Sequence, residues 1–96
     1  MRLVYADESV ADLIRLRAFI AEQDPTAAAR VAAELIGRIE NLRPFPSSGR
    51  PVALAPEPQA VRDAIFGKYF IRYSVHAQAI LILRIWHHYE DRAPNL

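Results

Sequence analysis

QAVRDAIFGKYFIRYSVHAQAILILRIWHHY, residues 59–89, is the stretch on which the fold turns. Tyr69–Val75 and Ala79–His87 are dense in aromatic and β-branched residues, which suit a pleated, half-buried surface. Gln59–Phe66 is more mixed in pattern. Gly67-Lys68 and His76-Ala77-Gln78 are short enough for hairpin turns, so the stretch predicts a three-strand antiparallel meander. Ile80, Leu81, Ile82, Leu83 and Ile85 do not alternate with polar residues, which predicts a last strand buried on both faces. Arg84 interrupts that run and must reach solvent, a partner or a carboxylate. Arg62, Arg72, Arg84, His87, His88 and Tyr89 all fall on this stretch, which makes it the place to look for function.

Upstream, the periodicity changes from two to about 3.6. Arg2–Ala6 is a short strand candidate, too brief to stand alone and suited to joining the later sheet. Asp7 or Ser9 can cap a helix, with Asp12 three residues beyond Ser9. Val10, Leu13, Ile14, Arg17, Ile20 and Ala21 keep helical spacing to about Glu22, with Leu16 and Phe19 widening the apolar face. Asp24-Pro25 restarts the chain, Asp as N-cap and Pro at the first helical position. A second helix over Thr26–Leu42 carries the stripe Ala28, Val31, Ala32, Leu35, Ile39 and Leu42. The short link between the helices demands an antiparallel hairpin. Gly37 costs the second helix roughly 1 kcal/mol against Ala, which suggests a close backbone approach there. Arg43–Pro58 is rich in proline and cannot continue the helix, so it reads as a long irregular loop.

The expected order is therefore β-α-α-β-β-β, an α+β fold in which a helical hairpin covers one face of a C-terminal antiparallel sheet. At 96 residues it makes one domain, 1–96. Hydrophobic residues make up 52% and charged residues 24%, a globular balance. The chain has no cysteine, which excludes disulfides and thiolate chemistry and removes the commonest zinc ligands. No apolar run approaches the ~20 residues of a membrane span, and MRLVYADES lacks the order of a signal peptide. A cytoplasmic protein with no membrane partner is expected. The net charge is only +1, although eleven of the twelve cations are Arg, whose forks suit carboxylate or phosphate.

Ser48-Gly49-Arg50-Pro51, the Arg62 strand, Tyr69-Phe70-Ile71-Arg72-Tyr73 and Ile82-Leu83-Arg84-Ile85-Trp86-His87, in that order behind two helices, resemble the RelE/ParE superfamily of type II toxin–antitoxin toxins. The resemblance covers nearly the whole chain. It implies one fold with two activities: a branch that cuts mRNA on the ribosome, and a ParE branch that poisons DNA gyrase. It also implies a cognate antitoxin, a hetero-oligomer with it, and no cofactor. RNA cleavage by 2′-OH attack needs a base, an acid and cations around the phosphorane. His87, His88 and Tyr89 are the acid–base candidates, and Arg62, Arg72 and Arg84 the phosphate candidates. His88-Tyr89 resembles a pair found in some family cutters, but EDRAPNL follows it. One lysine, Lys68, and a charge of +1 fit poorly with entry into ribosomal RNA. The reading therefore favours the ParE branch, with Arg84, Trp86, His87 and Tyr89 as target contacts that stabilise gyrase in its DNA-cleaved state. Phe19, Ile36, Phe45 and Phe66, with Arg72, are the antitoxin-binding candidates, and an inactive antitoxin-binding module is the third reading.

Structural roles compete for the same residues. Arg84 can bind a carboxylate, and Arg72 or Arg62 can pair across the strands with Asp63. Trp86 suits a core or interface anchor. His87 and His88 should point to opposite faces, which argues against their chelating one metal, and no metal site is expected.

Overall fold

The structure is a computed structural model that describes residues 1–53, 55 and 60–88. Its elements run β1 (Arg2–Tyr5), α1 (Asp7–Ala21), α2 (Pro25–Glu40), β2 (Arg50–Pro51), β3 (Val61–Phe66), β4 (Tyr69–Val75) and β5 (Ala79–His87). The five strands form one sheet in the order β1-β5-β4-β3-β2. The expected meander is there, β3–β4–β5, antiparallel throughout. β1 joins its β5 edge in parallel, Arg2 opposite Ala79 and Tyr5 opposite Ile82, so the sheet as a whole is mixed.

Local chemistry explains the ends of the elements. Asp24 accepts from the Ala27 N–H at 3.1 Å and Pro25 opens α2, as its sequence predicts. α1 begins differently. Ala6 occupies the N-cap without a side-chain bond, and Asp7 and Glu8 meet the positive helix end through the dipole instead. Ser9 caps nothing: its hydroxyl donates to the Ala6 carbonyl at 2.7 Å. Gly67, at φ +57°, makes the β3–β4 turn, a conformation that other residues adopt only with strain.

The missing alternation in β5 has a specific cause. Arg72 lies opposite Arg84 but Tyr73 lies opposite Ile82, so Leu83 is an extra residue, a β-bulge. The bulge absorbs the odd spacing from Ile82 to Ile85 and lets Ile80, Ile82 and Ile85 all be fully buried. Leu81 and Leu83 are only half-buried, so β5 is not sealed equally on both sides, contrary to the sequence expectation. The three isoleucines join Ile71 and Tyr73 of β4 and Leu16, Leu35, Ile39 and Leu42 in one core.

Part of the proline-rich loop is ordered against the sheet rather than irregular. Arg50 and Pro51 pair with Asp63 and Arg62 as β2. The buried Tyr73 hydroxyl donates to the Pro46 carbonyl and accepts from the Gly49 N–H, both at 2.8 Å. Arg62 adds bonds to the Gly49 carbonyl at 2.7 Å and the Ser47 carbonyl at 3.3 Å. A Cβ on Gly49 would lie 2.6 Å from the Tyr73 hydroxyl and 2.9 Å from the Asp63 carbonyl oxygen. Gly49→Ala should therefore destabilise the protein by about 1–3 kcal/mol through overpacking. A lower urea midpoint is the expected result, and an unchanged midpoint would contradict the clamp.

Candidate functional site

Among the described residues, Asp12 gathers Arg84, Arg15 and a backbone amide on one buried carboxylate. It lies on α1 between Ser9 and Leu16, on the side of the helix that faces the protein, and its side chain is 2% exposed. Arg84 forks onto it, Nε to Oδ2 at 2.8 Å and Nη2 to Oδ1 at 3.1 Å. Arg15 donates to Oδ1, and the Ile85 N–H donates to Oδ2 at 2.8 Å. Arg15 also reaches the Ile85 carbonyl at 3.3 Å. β1 pairs with β5 only as far as Ile82, so α1 side chains satisfy the β5 edge beyond it. The carboxylate that Arg84 requires thus comes from its own chain.

Arg72 of β4 is engaged as well. Arg72 forks onto Asp63, its cross-strand neighbour, at 2.8 and 2.9 Å, with both side chains nearly buried. The same guanidinium lies 5.0 Å from the centre of the Trp86 ring. Trp86 is buried and stacks on Phe70 at 5.2 Å, and Phe70 stacks on His88 at 6.1 Å. His87 instead meets Tyr69 edge-on at 4.9 Å. Tyr69 and His87 are register partners, as are Phe70 and Trp86, so the two histidines diverge to opposite faces. Burial raises the Tyr69 phenol above its ordinary value, with Arg30 opposing, so Tyr69 holds its proton at neutral pH.

The candidates for apolar contact lie elsewhere. Phe19, Ile36 and Phe45 are exposed, Phe45 by 67%. Phe66 is half-buried beneath Arg38, whose guanidinium carbon sits 4.6 Å from the ring centre. Tyr89 lies outside the described residues. Among the described residues no three His, Asp or Glu gather as metal ligands.

Of the residues proposed for phosphate chemistry, Arg72 and Arg84 are register partners on the face that Phe70, Trp86 and His88 share, but each guanidinium is taken by a carboxylate of the fold. Arg62 serves the loop, Arg72 serves Asp63, Arg84 serves Asp12, and His87 faces away from His88. Asp12 and Arg15, which organise the site, were not candidates in the sequence. A signal was present: an acid three residues after Ser9 and four before Leu16 sits on the apolar stripe of its helix and needs a cation.

Two results should follow. Asp12→Ala strands Arg84 and the Ile85 N–H and should cost about 3–5 kcal/mol in urea denaturation. The Asp12 carboxyl also titrates below its ordinary 3.8: burial alone would raise it, but the bonds from Arg84, the Ile85 N–H and Arg15 outweigh burial. Because the folded value is the lower one, its stabilisation is full above the unfolded value and is lost as pH falls through the folded value. Wild-type stability should fall below about pH 4, and Asp12→Asn should show a shallower fall over that window.

Comparison with known proteins agrees with this architecture. Residues 3–92 match the family model described as the ParE toxin of the type II toxin–antitoxin system parDE. Toxin RelE1 of Caulobacter vibrioides is 35% identical over 83 residues, covering 84% of this chain and 86% of that protein. Among solved structures, the chromosomal ParDE system of P. aeruginosa superposes with a TM-score of 0.77 at 20% identity, over 91% of this chain and 95% of that one. The toxin–antitoxin complex RelBE2 of Mycobacterium tuberculosis gives 0.67 at 21% identity, over 90% and 88%. At those identities the structures speak to the fold alone. The chain belongs to the ParE/RelE family and is a toxin of a type II toxin–antitoxin system.

Proposed function

We propose that this toxin poisons DNA gyrase in the cytoplasm and is neutralised by a cognate antitoxin bound as a hetero-oligomer. The observation that carries the reading is that Arg62, Arg72 and Arg84 each serve an acceptor within the fold. A ribosome-dependent nuclease has to aim cations, an acid and a base at one phosphate. Here the histidines diverge, and the guanidiniums lie against Asp63, Asp12 and loop carbonyls. A poison that holds an enzyme–DNA intermediate in place needs a shaped surface rather than a reaction centre. Trp86, His87 and Arg84, with Tyr89, are the proposed contacts at the C-terminal end of the sheet. The match to the ParE model over residues 3–92 supports the same branch.

Antitoxin binding is proposed for the exposed apolar groups Phe19, Ile36 and Phe45 and for Phe66. Arg72, which Asp63 holds over Trp86, is proposed as the polar member of that set. The test is a cleavage assay with purified gyrase, supercoiled plasmid, ATP and the toxin freed of antitoxin. Protein-linked linear DNA should accumulate, and added antitoxin should suppress it. A preparation that binds antitoxin yet leaves plasmid cleavage at background would overturn the gyrase reading.

A further inference from the structure

Gly37 sits inside α2, where glycine weakens a helix, yet the fold makes no use of its missing side chain. Among the described residues, a Cβ there would meet no atom beyond its own stretch of helix backbone within 4 Å. The close approach expected from the sequence is thus not made by the described residues of the fold. Gly37 lines a shallow hollow with Glu34, Arg38, Asn41 and Phe66. A second hollow, about 490 Å³, shares Arg38, Asn41 and Phe66 and continues past Phe45 to Arg50 and Ile65. The two form one groove from mid-α2, across the Arg38–Phe66 stack, to the clamped loop.

Three features of this groove point to a partner's chain. Its flanks are apolar and open, with Phe45 67% and Ile65 52% exposed. Beyond Asp63, the outer edge of β3 carries no strand among the described residues, because β2 pairs only with Asp63 and Arg62. Its uncompensated charge is positive. Glu34 is taken by Arg30 and Asp63 by Arg72, whereas Arg38 and Arg50 have no ion pair among the described residues. An acidic, apolar-studded segment complements such a surface, and a strand edge with flanking apolar pockets is a known way to bind an extended chain.

We infer that an acidic segment of the antitoxin lies in this groove, its main chain crossing α2 at Gly37 and its carboxylates meeting Arg38 and Arg50. This rests on the antitoxin reading above. It gives Gly37 a role in the complex, and it makes the Tyr73–Gly49 clamp the device that presents Phe45 and Arg50 to the partner.

Calorimetric titration of the toxin with its purified antitoxin tests the inference, using wild type, Gly37→Leu and the double variant Arg38→Glu/Arg50→Glu, each with a thermal melt. Gly37→Leu adds a good helix former in open space and should melt no lower than wild type. It should nevertheless bind at least about tenfold more weakly, as should the double variant. Wild-type affinity in a folded Gly37→Leu variant would overturn the groove while leaving the antitoxin partnership intact. Failure of the wild type itself to bind would overturn both.

Discussion

The fold depends on a buried carboxylate at the edge of a strand. β1 covers β5 only to Ile82, and the next outward-facing main-chain groups belong to Ile85. Left bare under a helix, that N–H and C=O would each lose a bond to water and gain nothing. Asp12 accepts from one and Arg15 donates to the other, so α1 completes the edge with side chains. Burying Asp12 is unfavourable by itself; the Arg84 fork, Arg15 and the amide together offset it. The same contacts fix how α1 lies against β5, and with it the hairpin that closes the core.

That arrangement bears directly on function. An arginine-rich sheet carrying two adjacent histidines resembles a phosphate-binding surface when read as a list of residues. In space, Arg62, Arg72 and Arg84 each answer an internal demand. Arg84 balances Asp12, Arg72 balances Asp63 beneath Trp86, and Arg62 ties down the loop that Tyr73 also holds. The net charge of +1 is consistent with this internal pairing of charge. Outward beside the loop, Phe45 and Ile65 are exposed next to Arg38 and Arg50, a mixture that suits a surface for protein partners.

Much of this was legible in the sequence because it depends on local chemistry. Asp24-Pro25 marks the second helix, Gly67-Lys68 the turn, and β-rich runs the strands, each through residues close in the chain. The opposite facing of His87 and His88 follows from strand parity alone. The illegible parts are those set by distant partners. The bulge at Leu83 is visible only once Tyr73 is seen opposite Ile82, and without it Arg72 and Arg84 cannot be placed. Asp12 and Arg84 stand 72 residues apart, so the sequence states a need for a counter-charge without naming its source. The Tyr73 hydroxyl reaching Pro46 and Gly49 is equally long-range, and it turns a proline-rich loop that reads as irregular into a fixed part of the surface.

The central claim is that Arg62, Arg72 and Arg84 serve acceptors within the fold and, with the histidines, do not form a nuclease. It is tested most directly by mapping mRNA ends in a reconstituted translation system supplied with 70S ribosomes and the antitoxin-free toxin. The account predicts that the message stays intact at toxin concentrations that poison gyrase. Ribosome-dependent cuts that disappear in a folded His88→Ala or Arg72→Lys variant would contradict it.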